Sequence, residues 1–175
     1  MIKSLTEAVP LPATTRELSF EEARSRYQGT VFAFVARRVR PVEEAEDIVA
    51  SVFADAYAKW HRCRGDVRLW LFGIARRKLI NSYRRRRPAW PLREADAALD
   101  AMGDFISLAE LQQVSLVLAK LPLDERDVLL MSVVEELSIA EIALVINRSE
   151  KATNSLLGRA RTRARKMTES YGESR

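Results

Sequence analysis

The residues able to do chemistry in this sequence are charged, and they come in blocks. Between Glu43 and Asp55 there are five acids and no base, and Glu94 to Glu110 repeats that composition with Glu94, Asp96, Asp100, Asp104 and Glu110. From Arg62 to Arg93, eleven lysines and arginines stand against one acid, Asp66. From Arg148 to Lys166, seven stand against Glu150 alone. Neighbouring carboxylates can act as general acid and base, but only in a pocket that holds a substrate. Here Glu43, Asp47 and Asp55 recur at steps of four or eight, with Glu44 beside them, so they line one open helix face. His61 and Cys63 make one His-x-Cys without the second ligand pair that a zinc site needs, and both read as loop or packing residues. No phosphate-cradling glycine loop, nucleophile elbow or HExxH motif occurs. The enzyme reading therefore has no residues to stand on, and no metal or cofactor is expected.

What the blocks can do is bind. Cations neutralise phosphates, and aromatic faces stack on bases that have left the duplex. The stretch around Arg76, Arg77, Lys78 and the run Arg84, Arg85, Arg86, Arg87 combines such cations with Trp70, Phe72 and Tyr83. Trp70 shares a face with Ile74 and reads more simply as core. Four consecutive arginines repel one another unless something anionic relieves them. Near the C-terminus, Lys151, Asn154, Ser155 and Gly158 fall at i, i+3, i+4 and i+7, one polar face able to meet base edges. Asn can read adenine bidentately, and Arg159, Arg161, Arg163, Arg165 and Lys166 suit phosphates.

The elements that position these residues are helices. Ser19 and Glu22 form a capping box ahead of an apolar stripe of Phe20, Ala23, Tyr27, Val31 and Phe34, which Pro41 ends. A second helix from about Val42 to Trp60 buries Ala45, Ile48, Val49, Val52, Ala56 and Trp60. After a short loop around Gly65, a third runs from about Arg68 to Arg86 with Trp70, Leu71, Ile74, Leu79 and Ile80 as its core side. In the second half, patterns cover Ile106 to Leu121, Asp124 to Glu136 (with Val128, Leu129, Val133 and Val134 apolar), Ile139 to Ile146, and Glu150 to about Thr168. Ser138 and Ser149 cap the last two. A short helix, a tight link at Asn147-Arg148 and a longer basic helix make a helix-turn-helix, whose second helix enters the major groove. No segment alternates like a strand. The expected fold is all-α, two small helical domains joined by a flexible linker, the second with a helix-turn-helix. The boundaries are a flexible tail over 1–17, a first domain over 18–87, a linker over 88–104, a second domain over 105–168 and a tail over 169–175.

Composition agrees. With 47% apolar residues and only 6 Gly and 6 Pro in 175, the chain has enough core for long helices and is not disordered. One cysteine excludes an internal disulfide and fits a reducing compartment. Neither a signal peptide nor a membrane span is legible, so a cytoplasmic location without membrane insertion is expected. The net charge of +5 accords with a polyanionic partner.

Four stretches in this order resemble the extracytoplasmic-function (group 4) sigma factors of bacterial RNA polymerase. They are Glu44-Ala45-Glu46-Asp47-Ile48-Val49 followed by Phe53; Arg64-Gly65-Asp66; Trp70-Leu71-Phe72-Gly73-Ile74-Ala75-Arg76; and Leu137-Ser138-Ile139-Ala140-Glu141-Ile142-Ala143 with Ser149-Glu150 and Arg159-Ala160-Arg161. The match spans about residues 19 to 168. It implies an alternative sigma factor that binds core polymerase, directs it to −10 and −35 promoter elements and assists melting. Glu43, Glu44, Glu46 and Asp47 would dock on the beta-prime coiled coil. Arg62, Arg64, Arg68, Arg76, Arg77, Lys78, Tyr83 and Arg84 to Arg87 would hold the melted −10 element. Arg148, Ser149, Lys151, Asn154, Ser155, Arg159, Arg161 and Arg163 would read the −35 element, while their domain packs on the beta flap. An anti-sigma factor is a further expected partner.

The sequence departs from the family at several points. Ala50 and Ser51 replace the common Gln and carboxylate, the loop after Asp66 is about two residues short, and Asn147 replaces the turn glycine. Asn154 and Leu156 stand at usually basic positions, which implies an unusual −35 preference. Two other readings fit parts of the pattern. A stand-alone helix-turn-helix regulator would bind duplex DNA without polymerase, and a protein-interaction module would use the acidic and amphipathic helices to hold a helical antagonist.

Overall fold

Every regular element in the computed structural model, which describes residues 18–39, 41–85, 114 and 116–172, is helical. The tails over 1–17 and 173–175, Arg86, Arg87, the 88–104 linker and most of the helical pattern after Ile106 lie outside the described residues. Helix α1 (Phe20–Ala36) begins at the expected capping box. The Glu22 amide donates to Ser19 Oγ (3.2 Å) and the Ser19 amide to Glu22 Oε2 (2.7 Å). Pro41 opens α2 (Val42–Ala58) from an extended conformation, and a single 3₁₀ turn (Trp60–Arg62) follows. Gly65 then takes a φ of 74°, a left-handed turn that glycine adopts without penalty. This turn delivers Asp66 to the start of α3 (Val67–Arg85), where its Oδ1 accepts the Leu69 amide at 2.9 Å.

These three helices enclose one apolar interior. Phe34 of α1 stacks on Phe72 of α3 with centroids 4.4 Å apart, and Val31, Val52, Leu71, Ile74 and Leu79 are buried around them. Cys63 is fully buried in the same core. Trp60, Trp70 and Ile80, expected inside, are only half-buried. The two tryptophans instead meet edge to face at 5.9 Å, in a surface cluster completed by Phe20 and Tyr57.

The second half comprises a helical segment at 116–120, α4 (Leu123–Val133), α5 (Ile139–Ile146) and α6 (Glu150–Gly172). Here α4 is rotated from the sequence expectation. Val133 is 54% exposed and Leu129 and Val134 are half-buried, while Glu125, Arg126 and Asp127 are buried with Val128, Leu130 and Met131. Carboxylates turn inward because cations of other elements meet them there: Arg38 and Arg76 reach Asp127, and Arg163 reaches Glu125. The two halves do not stand apart. Helix α5 crosses α3, and Met131, Ile142, Val145 and Leu157 join the apolar core that contains Phe72 and Ile74.

Candidate nucleic-acid interface

The helix-turn-helix is built by local signals that hold α5 and α6 at a fixed angle. Ser138 caps α5 with a second capping box: Glu141 donates its amide to Ser138 Oγ (3.2 Å) and accepts the Ser138 amide on Oε2 (2.8 Å). The helix ends on Asn147, left-handed at φ 54° and ψ 53°. Asparagine tolerates this conformation better than branched or bulky side chains, so the turn forms without glycine. The Arg148 amide closes it on the Ala143 carbonyl at 3.0 Å. Ser149 Oγ accepts the Ala152 amide at the start of α6, and the buried Thr153 hydroxyl donates to the Ser149 carbonyl at 2.9 Å.

Thr153, Leu156, Leu157 and Ala160 bury one side of α6. The opposite side leaves Lys151, Asn154, Ser155, Gly158 and Arg159 exposed, so the four positions expected to meet base edges share one accessible face. Ser155 donates its hydroxyl to the Lys151 carbonyl (2.9 Å). Leu156 is only 4% exposed, which corrects its place among residues bearing on −35 preference: it is core, and only Asn154 of that pair reaches solvent. Arg161 donates to Ser132 (3.1 Å) and Arg163 pairs with Glu125 (3.3 Å), both from exposed positions on α6.

The cations of α3 and its preceding loop divide into two groups. Arg62, Arg77, Arg84 and Arg85 are exposed. Arg64 is also exposed, but donates to the His61 and Cys63 carbonyls at 2.8 Å each and so braces the loop. Lys78 is half-buried against Asp55 (2.9 Å), whose carboxyl it pulls below the ordinary aspartate range against the upward push of burial. Arg68 pairs with Glu141 (3.1 Å) and Arg76 with Asp124 and Asp127 (2.8 and 2.6 Å), all in the second half of the chain. Neither Phe72 nor Tyr83 offers a stacking face in this conformation. Phe72 is core, and Tyr83 is 8% exposed with its hydroxyl donating to the Arg38 carbonyl at 2.7 Å.

Of the acidic residues on α2, Glu43, Glu46 and Asp47 are exposed, whereas Glu44 is half-buried and accepts the Ser82 hydroxyl at 2.7 Å. Sequence reasoning missed Arg38, a fully enclosed charge. Its guanidinium grips both Glu135 oxygens (2.9 and 3.0 Å), Asp127 Oδ1 (3.0 Å) and the Phe34 carbonyl (2.8 Å), and lies 3.7 Å over the Phe34 ring. Burial alone would favour losing its proton, but Glu135 and Asp127 outweigh that and hold the group above its ordinary value. One signal was available: Asp124 and Asp127 share a helix face at a spacing of three with apolar Val128 and Met131 close by, which marks an acid aimed inward.

The architecture is that of an all-helical protein whose second half is a helix-turn-helix. Residues 24–89 match the family described as Sigma-70 region 2, and residues 111–163 match Sigma-70, region 4. Together these take in most of the chain, which belongs to the sigma-70 family as an extracytoplasmic-function member. Among curated relatives, the ECF RNA polymerase sigma factor SigM of Bacillus subtilis is 26% identical over 156 residues, covering 83% of this chain and 93% of SigM. The RNA polymerase sigma factor YlaC of the same organism is 29% identical over 170 residues, covering 90% and 96%. The solved sigma factor RpoE of Bartonella quintana, in complex with the anti-sigma factor NepR, shares the fold (TM-score 0.62, 22% identity, 86% and 96% coverage). CnrH in complex with the cytosolic domain of CnrY aligns at a TM-score of 0.61 and 27% identity, over 86% of this chain and 88% of that one. Among the described residues, no helix is long and apolar enough to cross a membrane.

Proposed function

We propose that this chain is an alternative sigma factor that docks on core RNA polymerase through α2 and contacts promoter DNA through α3 and α6. The observation that carries the reading is the separation of charge. Glu43, Glu46 and Asp47 stand exposed together on α2, while exposed cations cluster at the end of α3 and along the outer face of α6, with Arg24, Arg26 and Lys59 as exposed cations outside those two groups. A negative rib suits the basic coiled coil of the beta-prime subunit, and positive surfaces suit phosphate. Lys151, Asn154 and Ser155 would read −35 base edges in the major groove, with Arg148, Ser149, Arg159, Arg161 and Arg163 on the flanking backbone and the domain seated on the beta flap. Arg62, Arg64, Arg68, Arg76, Arg77, Lys78 and Arg84 to Arg87 would hold the −10 strand, whereas Tyr83, enclosed with its hydroxyl on the Arg38 carbonyl, drops out of that set.

No covalent step is involved. Binding energy for unpaired bases offsets the cost of separating them, so melting is a shift in population between closed and open DNA. The linker over 88–104 would follow the RNA-exit path, where its carboxylates imitate RNA phosphates. The cytoplasm, where polymerase works, is the matching compartment, and an anti-sigma factor the matching antagonist. A pull-down with core polymerase followed by run-off transcription from fork-junction templates tests the reading. Retention on core and polymerase-dependent transcripts are expected; specific duplex binding with no affinity for core would support a stand-alone regulator instead.

A further inference from the structure

We propose that Asp55 is an affinity-setting residue for DNA: it ties Lys78 and Lys59 to α2 and keeps two cations largely out of the phosphate path along α3. The inference rests on the DNA-binding reading of α3 and adds which of its cations DNA can use in full. Asp55 Oδ2 lies 2.9 Å from the Lys78 ammonium and 3.7 Å from that of Lys59. Lys59 caps the same helix one turn on, and an exposed pair of that kind contributes little to stability. Lys78 comes from α3 and is half-buried, so its pair is less open to screening by salt. Its hydrogen bond is also the largest influence on the Asp55 carboxyl, which it holds below the ordinary aspartate range. Asp55 is therefore charged at neutral pH.

One flank of α3 is committed in this way. Lys78 meets Asp55, and one turn on, Ser82 donates its hydroxyl to Glu44 at 2.7 Å. Both partners sit on α2. Around the helix from that flank, Arg77, Asn81 and Arg85 are exposed at steps of four and form one stripe that a nucleic-acid backbone can follow. Lys78 stands next to Arg77, and its flexible four-carbon stem would let a freed ammonium swing to the same backbone. A paired lysine gives DNA less than a free one. Its ammonium must first leave a carboxylate, and a charge that is already balanced displaces few counterions when it meets a phosphate. That term is independent of base sequence, whereas contacts to base edges are not. Asp55 thus lowers the general pull of DNA without touching the contacts that discriminate among sequences. The margin of promoter over bulk DNA rises accordingly.

Fluorescence anisotropy with a labelled, mixed-sequence fork-junction DNA tests this on the full chain assembled with core polymerase, across a range of salt. Asp55→Asn removes the charge and leaves every proposed DNA-contacting residue in place. It should bind several-fold more tightly than the parent at low salt. That advantage should shrink about threefold for each lysine released as salt rises from about 50 to about 200 mM. Asp55→Glu keeps the charge and should behave as the parent does. Adding Lys78→Ala to Asp55→Asn should remove most of the gain, whereas Lys78→Ala alone should change affinity much less, a coupling that a merely structural role for Asp55 would not produce. Equal affinity and equal salt dependence for Asp55→Asn and the parent overturn the proposal, as does a gain that Lys78→Ala leaves intact. If replacing Arg84 and Arg85 with Ala also leaves the salt dependence unchanged, the DNA-binding reading of α3 falls with it.

Discussion

Helices α2 and α4 carry carboxylates with opposite fates. On α2, Glu43, Glu46 and Asp47 project into solvent. On α4, Asp127 is buried between Arg38 and Arg76, and Asp124 is bridged to Arg76 and Arg148. A solvated carboxylate contributes little to folding and is available to a partner, whereas a desolvated one must be matched by cations or it destabilises the fold. Residue type is the same in both helices. Burial decides whether it recognises another molecule or holds this one together.

The contrast breaks most sharply at Arg38. Arg38→Ala removes the cation that bridges Asp127 and Glu135 and leaves each with one arginine, Arg76 and Arg37 respectively, so the loss should fall short of the about 3–5 kcal/mol that a fully unpaired buried charge costs. Chemical denaturation should register a loss of about 2 kcal/mol, within the range for breaking a buried hydrogen-bonded charge network. Charge reversal on the other helix tests the converse. Asp47→Lys should leave unfolding within about 0.5 kcal/mol of the parent, yet weaken retention on core polymerase about tenfold, since like charge opposes a complementary surface. Equal retention would remove α2 from the docking surface.

Two further substitutions sharpen the difference between exposed and enclosed groups. Replacing Arg84 and Arg85 with Ala should make the dependence of log affinity on log salt shallower by about one for each phosphate that is no longer neutralised. An unchanged slope would mean that the end of α3 does not touch the backbone. At the turn, Asn147→Ala forces a β-carbon-bearing residue without a local polar side chain into the left-handed region, costing about 1 kcal/mol in thermal denaturation, while Asn147→Gly should be close to neutral.

The smallest expected effect is a pH dependence. Burial pushes the Glu141 carboxyl upward, but hydrogen bonds from Ser138 and the Arg68 cation outweigh it, and the group sits below the ordinary glutamate value of 4.5. A depressed folded-state pKa contributes stability that is present above 4.5 and is lost as pH falls through the folded value. Denaturation midpoints followed across that acid range should fall for the parent protein. In Glu141→Gln, that part of the fall should vanish.

The helix caps and the turn of the helix-turn-helix are legible in the sequence. Ser19 with Glu22, Ser138 with Glu141, and Asn147 each act within a few residues, through backbone groups that a neighbouring side chain can reach. The accessible face of Lys151, Asn154, Ser155 and Gly158 follows from helical period alone. The same rule misjudges α4, where the apolar pattern points Val133 inward, and Leu156, whose place beside polar residues hides its burial.

By itself, then, the sequence determined the helices, their caps, the left-handed turn and the alternation of acidic with basic blocks, because each is set by contacts one helical turn apart. Which arginines face solvent was decided only by the tertiary structure. Arg38 and Asp127 are 89 residues apart, and their pairing exists only once α3 and α5 have met and water has left the space between them. Desolvation belongs to the packed chain, and no local window contains it.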